Sequence, residues 1–193
     1  MGGSYAGNAG VFLIQTLFGL YTGAVMIRFL LALTRADFYN PISQFLVKVT
    51  NPPLVPLRRI IPSLGGIDLA SVILMLALQS AEIMLITAVK GFGIHPFGLI
   101  VLSIGGLLSL LLQIYFFTIL IQVVLSWVAP SGHNPAISLL YNLNEPLLRR
   151  AKRILPAMHG FDFSPILIMI VLQLLTIILV APINDLGVTL SSG

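Results

Sequence analysis

The chain has 193 residues, of which 58% are hydrophobic and 8% charged, with a formal net charge of +4. An ordinary soluble domain carries ~25% charged residues, and ten Lys/Arg with six Asp/Glu do not hydrate the surface of a compact chain this long. The composition therefore excludes a soluble globular protein, and the absence of cysteine excludes disulfides, thiol catalysis, thiolate metal sites and thioether-linked haem.

Four apolar stretches follow in order: Val11–Leu33, Leu69–Val89, Phe97–Val128 and Phe163–Ala181. At ~1.5 Å rise per residue each can cross a ~30 Å hydrocarbon core as a helix, the form that pairs its own backbone in lipid. Ahead of the first, Met1–Gly10 has no Lys or Arg, so the basic region of a cleaved signal is missing and a retained span is expected. The third stretch, roughly 48 Å as a helix, is too long to stand upright. It is expected to tilt, to kink near Gly105-Gly106, or to start as an interfacial segment and cross from about residue 99.

The connections carry the charge. Arg35, Lys48, Arg58 and Arg59 lie between the first two spans, and Arg149, Arg150, Lys152 and Arg153 between the last two; the middle connection has Lys90 alone. With four spans the basic connections share a side, which the positive-inside rule makes cytoplasmic, with both termini outside.

Within the first basic connection, Asn40 is placed to cap a helix that begins at Pro41, and Ile42, Phe45, Leu46 and Val49 form one apolar stripe. The second connection repeats this with Asn134, Pro135, Ala136, Leu139, Leu140 and Leu143. Pro52 and Pro146 are expected to end these helices. The basic segments that follow, 56–62 and 148–156, suit the headgroup layer, where each cation beside anionic lipid contributes ~1 kcal/mol. A Gly65-Gly66 turn, matched by His159-Gly160, then leads back into the bilayer, with Asp68 and Asp162 at helix N-cap positions.

The chain is duplicated in a register of 94 residues. Asn40-Pro41 falls on Asn134-Pro135, Pro52 on Pro146, Arg59 on Arg153, Pro62 on Pro156, Gly66 on Gly160, Asp68 on Asp162 and Gln79 on Gln173. The expected fold is an all-α membrane protein: four transmembrane helices as two parallel tandem repeats, 1–96 and 97–193. A pseudo-two-fold along the membrane normal would relate the copies, each with amphipathic interfacial helices in its cytoplasmic connection.

Several polar residues are candidates for function. Asp68 and Asp162 read as helix caps or as a pair of carboxylates at a cytoplasmic cation mouth. Gln79 and Gln173, ~16 Å past those caps, read as interhelical hydrogen-bond groups or as a paired polar site near the midplane. Glu82, one turn from Gln79, is the acidic residue well inside a span; a carboxylate there costs ~2.5–3.5 kcal/mol, which points to an ion or proton site, the group being either satisfied by Gln15, Ser109 and Gln113 or protonated. Arg28 is expected to snorkel to the headgroups, and Trp127 and Tyr115 to act as interfacial or packing aromatics. Arg58, Arg59, Arg149, Arg150, Lys152 and Arg153 read as topology determinants and anchors to anionic lipid, not as a nucleic-acid surface. His95 lies on the opposite side from His133 and His159, so the three cannot share one site, and no haem, metal or other cofactor is expected. No G-x-S-x-G, H-E-x-x-H, Walker or G-x-G-x-x-G motif occurs, and no enzymatic activity is expected.

Taken together, the run 35–42 (RADFYNPI), Thr50-Asn51-Pro52 through Pro62, Gly65-Gly66-Ile67-Asp68, and in the second copy Ser126-Trp127, His133-Asn134-Pro135, Glu145–Arg149 and Phe161–Pro165 resemble the YggT family of bacterial and plastid membrane proteins. The two-copy form is similar to the bacterial inner-membrane members. That resemblance implies a role in osmotic and salt-stress tolerance through ion homeostasis, as a small conduit or a modulator of one. A competing implication is a non-transporting assembly factor, for cytochrome maturation or for division machinery. The partners expected are the bilayer and its anionic lipids, with a second copy of the chain or other membrane proteins beside them.

Overall fold

The computed structural model describes residues 5–128, 134–155 and 162–191. Its elements are α1 (Tyr5–Leu33), α2 (Pro41–Ile60), α3 (Leu69–Val89), α4 (Pro96–Val128), α5 (Pro135–Ile154), α6 (Ser164–Leu175), a π-helical turn (Thr176–Val180) and α7 (Ala181–Ser191). Among the described residues four helices are long and apolar enough to span a membrane: α1, α3, α4 and the continuous stretch Ser164–Ser191. In the most apolar windows of α3 and of that fourth stretch only 11% of residues are buried, so most of their surface faces outward, as lipid-solvated helices require.

Local chemistry sets the connecting helices. Asn40 and Asn134 each accept a hydrogen bond from the backbone N–H two residues on, at 2.9 Å, with Pro41 and Pro135 at the first helical position. Leu64 and Ile67 exchange two backbone hydrogen bonds across Gly65 and Gly66, whose φ of 59° and 86° make the tight turn before α3. The corresponding His159-Gly160 turn lies outside the described residues. Arg35 closes α1 in the left-handed region (φ 53°), where Ala36 N–H reaches Leu31 O at 2.9 Å.

The prolines do not end the connecting helices. α2 runs through Pro52, Pro53 and Pro56, and α5 through Pro146. A proline frees the carbonyl four residues earlier, so continuation depends on what receives that carbonyl. Pro53 frees Val49 O, which accepts from Tyr21 Oη at 3.3 Å. The carbonyls of Lys48, Pro52 and Asn142, freed by Pro52, Pro56 and Pro146, belong to exposed residues open to solvation. The basic residues thus ride on the last turns of α2 and α5.

The buried face of α2 also differs from the expected stripe. Ser43, Leu46, Thr50 and Leu54 face inward, while Ile42 and Phe45 (64% exposed) face outward. Polar contacts set this rotation: Ser43 Oγ donates to Asp37 O at 3.0 Å and Thr50 meets α1. In α5, by contrast, Leu139 and Leu143 of the predicted stripe are buried, together with Asn144, Leu148 and Ala151.

Both ends of the spanning set are longer than read from hydropathy. α1 starts at Tyr5, and the fourth helix passes Ala181, Asn184 and Asp185 to end at Ser191. α4 is helical throughout Pro96–Val128, Gly105-Gly106 included, with α7 packed along its first half. That contact is built on glycines. A Cβ on Gly98 would meet the Ser191 backbone at 2.5 Å, one on Gly105 would collide with Asn184 Oδ1, and one on Gly187 would meet Leu102 Cγ at 2.7 Å. Small residues at these points let the two helices approach. The π turn sits just before Pro182: Ala181 N–H donates back to Thr176 O, and the widened turn accommodates a proline in mid-span.

The central core joins both copies: Val25, Met26, Leu30 and Leu31 of α1 pack with Leu46 and Leu54 of α2, Leu74 and Met75 of α3, and Leu139 and Leu143 of α5. The packing does not follow a pseudo-two-fold. α3 packs on α4, yet among the described residues α1 makes no contact with α6, the π turn or α7, the pairing a two-fold would require.

Candidate functional site

Two sets of polar side chains stand out, one at the basic side of the bundle and one within the spans. At the basic side Asp68 caps α3: its Oδ2 accepts from Ser71 Oγ at 2.6 Å and from Arg58 Nη2 and Nε at 2.5 and 3.1 Å. Burial alone would push the Asp68 carboxyl up; the bonds from Arg58 and Ser71 outweigh it and hold the group below the ordinary carboxylate range. Asp162 repeats the arrangement one residue ahead of the N-cap Phe163. It accepts from Ser164 N–H at 2.9 Å and pairs with Lys152 at 3.2 Å. Burial again pushes up, and the hydrogen bonds from Ser164 with the Lys152 contact bring it below its usual value. Each carboxylate is thus held by its own copy's cation. Arg59, Arg149, Arg150 and Arg153 are exposed beside these pairs.

A lowered carboxylate pKa stabilises the fold above the unfolded value, ~3.9, and that contribution is lost as pH falls through the lower folded value. Asp68→Asn keeps the cap acceptor and removes the ion pair. It is expected to cost on the order of 0.5–1 kcal/mol at pH 7, a modest figure because Arg58 is partly exposed. The gap between variant and parent, read from thermal unfolding in detergent, narrows below about pH 4.

Inside the spans, Gln79 Nε2 donates to Glu82 Oε2 at 3.1 Å on half-buried faces of α3. Gln79 lies over Gly106 of α4, whose added Cβ would come within 3.1 Å of Gln79 Cδ. Beside it, Ser80 Oγ and Ser103 Oγ share a hydrogen bond of 2.9 Å across the α3–α4 seam. Gln113 bonds Ser109 at 3.1 Å within α4, and Gln15 is exposed on α1. Gln173 is exposed on α6, which does not touch α3, so the two repeat-related glutamines do not share a site within one chain. His95 stacks on Phe97 with ring centroids 5.6 Å apart, whereas His133 and His159 lie outside the described residues. Among the described residues no group of three His, Asp or Glu side chains is placed to hold a metal ion.

Sequence reasoning missed the ties between each copy's first span and its connecting helix. Arg28 does not snorkel. It is 6% exposed, and its Nη1 donates to Thr50 Oγ1 at 2.6 Å, while Thr50 Oγ1 donates to Leu46 O at 2.6 Å. The register of 94 sets Arg28 on Gln122 and Thr50 on Asn144. In the second copy Asn144 Nδ2 donates to Gln122 Oε1 at 2.8 Å, and Thr118 Oγ1 donates to Asn144 Oδ1 at 2.9 Å. The salt bridges obey the same register, Arg58–Asp68 falling on Lys152–Asp162. Asn40 Nδ2 links the copies through Pro135 O at 2.7 Å. Beside the second tie, Gln122, Trp127, Tyr141, Lys152 and Asp162 line a cleft of about 520 Å³; Arg28 stands at the equivalent of Gln122 in the first copy.

Four apolar helices, a duplicated span–connection–span unit and matched polar ties define a multi-pass membrane protein made by tandem duplication. The family model described as CCB3/YggT matches the chain twice, over residues 7–89 and 101–183, and the chain belongs to this family. The two matches are offset by the same 94 residues as the ties. An uncharacterized protein of Pseudomonas aeruginosa is 45% identical over 90% of this chain and 89% of its own length. One from Vibrio alginolyticus is 42% identical, covering 86% and 90%, and the uncharacterized protein YggT of Escherichia coli K12 is 39% identical, covering 87% of each. No solved structure matches.

Proposed function

We propose that the chain is a non-enzymatic protein of the bacterial inner membrane, with its basic connections cytoplasmic and both termini periplasmic, that supports ion and osmotic homeostasis as a small cation conduit or the modulator of one. The observation that carries this reading is Glu82. A carboxylate within a span costs ~2.5–3.5 kcal/mol on insertion scales, and intramembrane acidic groups mark ion or proton pathways. Glu82 lies in the half of α3 away from the basic side and is hydrogen-bonded to Gln79, one turn nearer that side, while the Ser80–Ser103 pair sits two residues before Glu82 on another face of the helix. Asp68 and Asp162, with Arg58 and Lys152 against them, stand at the cytoplasmic end of the same proposed path. The test is cation and proton flux into liposomes containing purified protein. Flux that Glu82→Gln abolishes is expected; flux unchanged by Glu82→Gln, or none at all, contradicts the conduit.

A second reading is a non-transporting assembly factor. The exposed Arg59, Arg149, Arg150 and Arg153 favour it, since cations at one face attract anionic lipid headgroups or an acidic membrane partner. It predicts no flux and a stoichiometric protein partner on crosslinking in native membranes.

A further inference from the structure

The two copies meet head to tail. The returning helix of the first, α3, lies against the leading helix of the second, α4, while α1 and α6, each of which also meets α4 and α5, do not touch one another among the described residues. Such a heterologous contact uses two different surfaces, and each repeat carries both. The surface of α3 that meets α4 therefore has an unused equivalent on α6, and the surface of α4 has one on α1.

The register makes these equivalents specific. Gln79 and Ser80, half-buried at the seam, correspond to Gln173 and Leu174, which are exposed. Ser103 and Gly106 of α4 correspond to Ala9 and Phe12, also exposed, Phe12 to 65%. Further along the same faces, Ile166, Ile170 and Ile177 of the fourth span and Leu13 and Leu20 of α1 are at least half exposed. Apolar residues so placed are satisfied by lipid, but Gln173 and Gln15 are not. Neither side chain has a hydrogen-bond partner among the described residues, and an amide in hydrocarbon seeks one. Phe12 stands where Gly106 admits Gln79, so an intermolecular seam is wider there. Gln15 follows Phe12 by one helical turn on the same face, within reach of a glutamine arriving at that level.

We propose that the α6 face of one molecule docks on the α1 face of a second copy of the chain, repeating between molecules the α3–α4 seam inside each, with Gln173 of one copy hydrogen-bonded to Gln15 of the next. Because all repeats share one orientation in this scheme, the contact is compatible with a common membrane plane.

The absence of native cysteine makes the test direct. Gln15→Cys and Gln173→Cys chains are co-expressed and oxidised in native membranes, beside each variant alone and a Gln173→Cys plus Val124→Cys control. A crosslinked dimer from the first mixture, about tenfold over the others, is expected of a head-to-tail contact. Gln173→Leu in an otherwise native chain weakens self-association about fivefold, the factor carried by one interhelical hydrogen bond in lipid, read by native mass spectrometry. A chain that is monomeric in nanodiscs with no mixed crosslink overturns the proposal. So does a dominant Gln173→Cys homodimer, which would mean a symmetric α6–α6 contact, or a crosslink to another protein in place of a second copy. Because the readout is association alone, its outcome is separate from that of the flux measurement.

Discussion

Thr50→Val is expected to lower the midpoint of thermal unfolding in detergent by roughly 5–10 °C. Valine keeps the shape of threonine and removes the acceptor 2.6 Å from the buried Arg28 guanidinium, leaving it Val47 O at 3.5 Å. A hydrogen bond to a charged group contributes ~1.5–3 kcal/mol, and the partner left unsatisfied in the interior carries its desolvation cost as well. The second copy supplies a rescue. Arg28→Gln with Thr50→Asn transplants the Gln122–Asn144 pair into the equivalent positions and is expected to recover more than half of the loss. Thr16→Val, at an exposed site on α1, serves as the control. If Thr50→Val costs no more than that control, the tie contributes nothing to holding α2 against α1.

Gly187→Leu is expected to destabilise the protein by about 3 kcal/mol, the upper end of the usual cost of overpacking. Even a methyl at this position meets Leu102 Cγ at 2.7 Å and the Leu102 backbone N at 3.1 Å, so a leucine has to lever α7 away from α4. The variant should therefore expose the segment beyond the π turn to proteolysis while leaving α1–α3 protected. Gly10→Ala, where nothing lies within 4 Å of the added carbon, is expected to be neutral or to stabilise by a few tenths of a kcal/mol through helix propensity. Equal sensitivity of the two glycines would mean that α7 is not packed on α4.

What the sequence disclosed divides along physical lines. The spans, the Asn40 and Asn134 caps, the Gly65-Gly66 turn and the 94-residue register all follow from chemistry local to a few residues, and the structure contains each of them. The passage of α2 through Pro53 was not legible because it depends on a hydroxyl from another helix, Tyr21, and that through Pro52 and Pro56 because it depends on which side of the helix is left exposed. The Arg28–Thr50 and Gln122–Asn144 ties were hidden for a related reason. They are equivalent in position and different in chemistry, so a search for identical residues passes over both. The glycine contact between α4 and α7 has the sequence signal of Gly98, Gly105 and Gly187, each sparing room for a facing backbone or side chain. The π turn carries Pro182 as its mark. The head-to-tail packing, finally, is a property of which surfaces meet, and a register alone is silent on that.

For the candidate site, Gln79 and Glu82 were legible as neighbours on one helix face and are hydrogen-bonded. The pairing of Asp68 with Arg58, ten residues apart across a turn, needs the α2 helix to continue past its prolines and so shared the fate of that expectation.

Single cysteines introduced into this cysteine-free chain at Arg59, Lys90 and Arg153, and labelled with a membrane-impermeant thiol reagent, test the tandem arrangement most directly. Arg59→Cys and Arg153→Cys should react from the same, cytoplasmic, side and Lys90→Cys from the other. Labelling of positions 59 and 153 from opposite sides would contradict two repeats inserted with one orientation.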